Sequence, residues 1–291
     1  MVSNWPTNDW LAALLAECAE LPPLALSLLG EGEGLRHGDY AGRWLEPGVD
    51  VEESRLYRPG DSVRHINWRL TARSDQVYVK YQPKPTELRL KMLVDLRASA
   101  WQGSTIRLKA EQMVRAAFRL AQQLSSSVLI DTQVWAHETP QLPVLRGQSR
   151  WHTWAEAWLP IVSGLSSNTL KTALPLSEAL ADHQDQLCII ISDFIDWDEV
   201  LEAQLIEASL RGKVLLVQVL DKQEVQLPKV TSALWGEAAV ALTETQRAHY
   251  QQQMTQFLQH IQQWCSTLSI GYYPLWADAA LSELAQQQDW S

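Results

Sequence analysis

The spacing of apolar residues along this chain changes twice. Over residues 8–29 it is helical, in "NDWLAALLAECAELPPLALSLL", and Pro22-Pro23 predict a break in the first helix. From Gly30 to about Pro85 glycine and proline become frequent and short alternating runs appear. In "QVYVKYQ" the residues Val77, Val79 and Tyr81 share one side of an extended chain, which predicts a small β-rich subdomain. From Leu88 onward, continuous apolar runs alternate with amphipathic ones. "LRLKMLVDL" predicts a strand ending at Asp95, and "TIRLKAEQMVRAAFRLAQQL" a helix with Ile106, Ala110, Met113, Ala117, Leu120 and Leu124 on its apolar face.

The same alternation runs through the rest of the chain. "VLIDTQVWA", "LCIIISDF" (ending at Asp193), "KVLLVQVL" and "IGYYPL" predict strands, and "GEAAVALTET" an edge strand or hairpin. "RWHTWAEAWLPIV", "KTALPLSEALADH", "DEVLEAQLIEASL" and residues 246–268 predict helices. The last of these places Tyr250, Met254, Phe257, Ile261, Trp264 and Leu268 on one face and glutamines on the other. Fully apolar strands separated by amphipathic helices indicate an α/β fold, a doubly wound and mostly parallel sheet with helices on both faces. The expected organisation is a helical arm at 1–29, a β-rich subdomain at 30–87 and an α/β domain at 88–291.

Composition narrows the class. With 46% apolar and 20% charged residues the chain is globular rather than disordered. Its net charge of -10 opposes nucleic acid or an anionic membrane as a general partner. One window runs against that balance: residues 54–91 hold nine Lys or Arg against three Asp or Glu. Cys18, Cys188 and Cys265 have no paired spacing and read as reduced thiols, Cys188 within an apolar strand. No apolar run approaches the about 18 residues of a spanning helix, and no secretory leader precedes the first helix, so the expected compartment is the cytosol.

Most enzyme signatures are missing. There is no phosphate-binding GxxxxGK[ST] loop, no GxSxG elbow and no HExxH pair among the seven histidines. Gly30, Gly32 and Gly34 lack the strand-to-helix context of a dinucleotide site and read as a loop. What remains is Asp95 and Asp193, each at the carboxyl end of a predicted central strand, where a doubly wound sheet gathers ligands. With hydroxyls from Ser99 and the "SSNT" loop (166–169) they would make an oxygen-rich site for a hard cation such as Mg²⁺. The plainer alternative is that both aspartates cap the helices that follow.

The basic window opens with "SRLYRPGDSVRHINWRLTAR". Pro59-Gly60 suit the central positions of a tight turn that Asp61 can bond. Ile66 and Trp68 alternate onto one face, which predicts a buried Trp68. Arg64, Arg69 and Arg73 could pair with acidic groups of the α/β domain. The competing use is a single-stranded nucleic-acid surface in which Tyr57, Trp68, Tyr78 and Tyr81 stack on bases.

These residues also carry a resemblance. Arg55, Tyr57, Pro59, Gly60, Asp61, Arg64, Ile66, Trp68, Ala72 and Arg73, followed by a strand ending at Asp95, resemble the motif of the domain of unknown function 58 family. "GDYAGRW" upstream and "ISDF" downstream extend the likeness over residues 30–275. Members resemble von Willebrand factor A domains, and in bacteria their genes tend to neighbour MoxR-type AAA+ ATPases. The resemblance implies a non-catalytic adaptor that partners such an ATPase in assembly or maturation of protein complexes, with no cofactor. It also implies a metal site at Asp95, Ser99, Thr169 and Asp193. This chain departs from the family's Asp-x-Ser-x-Ser pattern: it has Asp95-Leu96-Arg97-Ala98-Ser99. A guanidinium at position 97 cannot coordinate a cation and can bond the carboxylates itself, so Mg²⁺ binding is expected to be weak at most. A hydrolase using metal at Asp95 and Asp193 is the remaining alternative.

Overall fold

The computed structural model describes residues 5–22, 53–57, 63–74, 76–81, 88–102, 107–126, 128–136, 138–166, 175–180, 187–227, 232–235, 238–241 and 243–286. The chain forms two units, Gly32–Glu87 and the union of Met1–Glu31 with Leu88–Ser291.

In the smaller unit, β1 (Glu53–Leu56) pairs antiparallel with β2 (Tyr78–Tyr81). A 3-10 turn at Val63–His65 leads to Ile66, which bridges Val79; both are buried. The extended run stops there. Asn67 donates its backbone N–H to the Tyr78 carbonyl (2.7 Å), and its side chain accepts from the Leu70 N–H (3.2 Å), capping the one-turn helix α2 (Trp68–Thr71). The expectation of a buried Trp68 is therefore wrong. Trp68 is the first residue of that turn rather than the next residue of a strand, and it is 67% exposed. Val77, grouped with Val79 by the alternation, is also exposed. The Pro59-Gly60-Asp61 turn and the Gly30, Gly32 and Gly34 loop lie outside the described residues, as do the side chains of Arg55 and Tyr81.

The larger unit is built on a five-stranded parallel sheet: β3 (Arg89–Asp95), β4 (Leu129–Trp135), β5 (Leu187–Ser192), β6 (Lys213–Leu220) and β9 (Gly271–Trp276), in the order β4-β3-β5-β6-β9. The chain returns antiparallel along the β4 edge through bridges Ile130↔Leu145 and Gln133↔Gln141. The hairpin expected near "GEAAVALTET" forms from β7 (Ser232–Trp235) and β8 (Ala238–Ala241).

Alternate side chains of each strand leave opposite faces, so the apolar strands feed two cores. On one face Leu90, Met92, Val94, Ile189, Leu215 and Val217 meet α1 (Asn8–Glu20), α3 (Lys109–Leu124), α4 (Trp151–Glu156) and α5 (Trp158–Ser166). An aromatic group fills this core, with Phe118 at 5.0 Å from Trp154 and 5.9 Å from Trp158 between ring centroids. On the other face Leu93, Cys188, Ile190, Val214 and Leu216 meet α6 (Leu176–Leu180), α7 (Glu199–Arg211) and α9 (Glu244–Thr267). Two short helices, α8 (Lys222–Val225) and α10 (Glu283–Gln286), follow β6 and β9.

Helix ends follow local chemistry. Asp198 caps α7 by accepting from the Leu201 N–H at 2.7 Å. Thr243 and Gln246 form a capping box at the start of α9. In α9 Ile261 and Cys265 are buried, Phe257 and Trp264 half-buried, and glutamines face solvent. The three cysteines are buried and form no disulfide. Among the described residues no helix is long and apolar enough to cross a membrane.

Candidate functional site

The strand order reverses direction between β3 and β5, and their carboxyl ends open the crevice where such sheets bind ligands. Asp95 is the last residue of β3, and Asp193 follows the last residue of β5. Both are buried, Asp95 to 1% exposure. The fold thus brings the two expected aspartates to one place. Ser99 lies close by in sequence, half-buried in the 3-10 turn Ala98–Trp101. Thr169 lies outside the described residues.

Each buried carboxylate already holds an internal cation. Arg97 Nε donates to Asp95 Oδ1 at 2.8 Å and its Nη2 to Oδ2 at 2.7 Å. The same guanidinium forks onto Asp196, at 2.5 Å to Oδ2 and 2.8 Å to Oδ1. The Ser192 hydroxyl donates to Asp95 Oδ2 at 2.6 Å and accepts from the Phe194 N–H at 2.9 Å. On the other side Lys109, 1% exposed, sends its ammonium to Asp193 Oδ2 (3.0 Å) and to both oxygens of Glu224 (2.7 and 2.8 Å). Gln218 donates to the Asp193 carbonyl at 3.0 Å and accepts from the Tyr272 hydroxyl at 2.6 Å.

Local backbone geometry serves this network. Asp193 Oδ1 accepts from the Ile195 N–H at 3.4 Å, which tightens the turn after β5. Within that turn Phe194 adopts φ 52°, a left-handed conformation unusual for an aromatic residue, and its ring is fully buried. The alternative role as helix caps does not describe Asp193, because Asp198 caps α7.

Burial and pairing act against each other on several of these groups. Burial pushes the Asp95 carboxyl up, against the pull of Arg97 and Ser192, and Asp193 adds to the rise. Burial also raises Glu224, against Lys109. For Asp196 burial acts upward, but its bonds to Arg97 outweigh this and hold it below its ordinary value. Burial alone would lower Arg97 and Lys109; their carboxylate partners raise both instead.

This donor set does not fit the metal ion that the family resemblance implies. Both Asp95 oxygens are bonded by Arg97, and Asp193 Oδ2 is taken by Lys109. Among the described residues no group of three His, Cys, Asp or Glu side chains is arranged to hold a metal. The reading from sequence singled out Arg97 but missed Lys109, Ser192, Asp196 and Glu224. Lys109 did leave a signal: a lysine at the first position of a helix opposes the helix dipole unless an anion waits there.

The family-motif residues sit in the smaller unit. There Tyr57, Arg64, Arg69, Ala72 and Arg73 are exposed, like Trp68, while Ile66 is buried. The motif's described side chains are thus mostly a surface, joined to the β1–β2 ribbon through Ile66.

A doubly wound parallel sheet with aspartates closing its two central strands at the switch point places the chain among the doubly wound α/β proteins. Within that class the chain belongs to the family described as "Protein of unknown function DUF58", whose model matches residues 53–257. An uncharacterized protein of Mycobacterium bovis is 30% identical over 229 residues, covering 76% of this chain and 70% of that protein. Among solved structures, the conserved hypothetical protein BatB from Bacteroides thetaiotaomicron aligns at a TM-score of 0.36 and 11% identity, over 62% of this chain and 98% of the other. An aerotolerance-related membrane protein from Bacteroides fragilis aligns at 0.40 and 10% identity, over 68% and 95%.

Proposed function

We propose that this protein works by binding other proteins rather than by catalysis, with a MoxR-type AAA+ ATPase as its partner in assembling or maturing protein complexes. The observation that carries this reading is the self-neutralised crevice. A general base or a metal-dependent hydrolase needs a carboxylate available to water or cation, and here Arg97 and Lys109 sit on the two that the fold provides. The ATPase enters through the family resemblance carried by the 54–73 motif. The surface offered to it is the outer side of α7, where Val200, Ala203, Ile206 and Leu210 form an exposed apolar row. We place the protein in the cytosol, where buried thiols that form no disulfide stay reduced.

The test is a binding assay between the purified protein and a MoxR-type ATPase of the same organism, with and without ATP. Binding that Leu210→Glu abolishes supports the reading. Absence of binding in either nucleotide state overturns the choice of partner, and turnover of ester or phosphoester substrates that Asp95→Asn abolishes overturns the non-catalytic reading.

One observation favours a second reading. Trp68, Tyr57 and the arginines at 64, 69 and 73 are exposed, as a stacking surface for single-stranded nucleic acid requires. The net charge of -10 works against it. Titration with single-stranded DNA and RNA decides: binding at physiological salt that weakens steeply as salt rises would put this reading first.

A further inference from the structure

Arg119 lies in α3, only 2% exposed, on the side that receives α1. A guanidinium brings five N–H donors and a permanent charge, and burial demands acceptors for them. Here they are scarce. Arg119 Nη2 donates to the Pro22 carbonyl, Nη1 reaches Gln122 Oε1 only at 3.4 Å, and Nε has no acceptor. Arg115, one turn earlier on the same helix, shows the usual solution, holding both oxygens of Glu17 at 2.8 Å. Among the described residues no carboxylate pairs with Arg119. Burying an unpaired charge is costly, and the burial lowers this guanidinium's hold on its proton.

Beside Arg119 the surface opens into a cavity of about 240 Å³. Cys18 and Leu21 line it from the arm, and Arg119, Gln122, Gln123 and Ser126 from α3 and the turn after it. Among the described residues no acidic side chain lines it, while amide and hydroxyl groups do. Its volume exceeds the about 30 Å³ share of a single water several-fold, leaving room for a small anion.

We propose that this cavity binds an oxyanion, a phosphate or a carboxylate group, on the Arg119 guanidinium, with Gln122, Gln123 and Ser126 supplying further hydrogen bonds. The bound oxygens provide beside the guanidinium the counter-charge that the described residues do not. This site is separate from the Asp95–Asp193 crevice and independent of the ATPase partnership.

The test titrates full-length protein with sodium phosphate and, separately, sodium acetate, at ionic strength held constant with chloride. Two signals are followed, the Arg119 Nε–Hε resonance by NMR and the Tm. We expect a saturable shift of that resonance and a rise in Tm with at least one of the two anions. Saturation by phosphate alone or by acetate alone names the source of the group. Arg119→Met, which removes the unpaired charge, is expected to melt higher than wild type in chloride and to lose the anion response. Should that variant fail to fold, the wild-type resonance still decides. A non-saturating shift with both anions, or an undiminished Tm response in Arg119→Met, overturns the proposal.

Discussion

Arg97 occupies the place where the related sequence pattern has a serine, and its fork closes on Asp95 and Asp196 at once. Replacing it by methionine would strand the Asp95 carboxylate, buried to 1% exposure, without a counter-charge. Breaking a buried pair in this way costs about 3–5 kcal/mol, which urea denaturation of Arg97→Met should report. Arg97→Ser instead restores an oxygen at that position. We expect Mg²⁺ and Mn²⁺ to give little heat with wild type in calorimetric titration, weak binding with Arg97→Ser, and tighter binding when Lys109→Gln also frees Asp193. Tight binding by wild type would mean that the guanidinium does not act as the resident cation. Trp68 makes the opposite case. Because it is 67% exposed, Trp68→Ala should change stability by no more than about 0.5 kcal/mol, and a loss of several kcal/mol in the same measurement would show that the residue is covered in solution.

At the scale of elements, the N-terminal helix is bound into the larger unit by its pattern and its polar contacts together. Trp10, Leu11, Leu14 and Cys18 lie on one face and are buried against α3. Trp10 Nε1 donates to Glu111 at 2.9 Å and Glu17 pairs with Arg115. Leu14, 1% exposed, sits at the middle of this contact, so Leu14→Ala should cost about 2–5 kcal/mol in thermal or urea unfolding. A near-zero change would mean that α1 is dispensable to the fold. At α9, Thr243→Ala removes the capping-box hydroxyl, and a smaller loss of about 1 kcal/mol is expected in the same assay.

For the whole molecule, the buried thiols set an alkaline limit. Burial pushes Cys18 up to about 11 and Cys265 up to about 12 from an ordinary 9.0. Both bind their protons more tightly folded than unfolded, so their contribution is complete below the ordinary value and is lost as pH rises through the folded values. Unfolding free energy measured by urea should therefore fall between about pH 9 and about pH 11, and less steeply in Cys18→Ala. A flat profile in wild type would show that neither thiol resists ionisation in the folded chain.

The strands and long helices of the larger unit were legible in the sequence because a period of two or 3.6 records which sides of an element are buried. Fully apolar strands such as residues 187–192 told that both faces of the sheet are covered, and Asp95 and Asp193 at the strand ends told where its crevice lies. What local pattern could not carry was the partner of each charge. Lys109 and Asp193 are 84 residues apart, Arg97 and Asp196 are 99, and Lys109 and Glu224 are 115. Electrostatic pairing depends on distance in space, so only the packing of α3 and α8 beside the ends of β3 and β5 determined that the carboxylates meet internal cations. Trp68 was misread for a related reason. Alternation predicts a face only while the strand continues, and the Asn67 cap ends it one residue too soon.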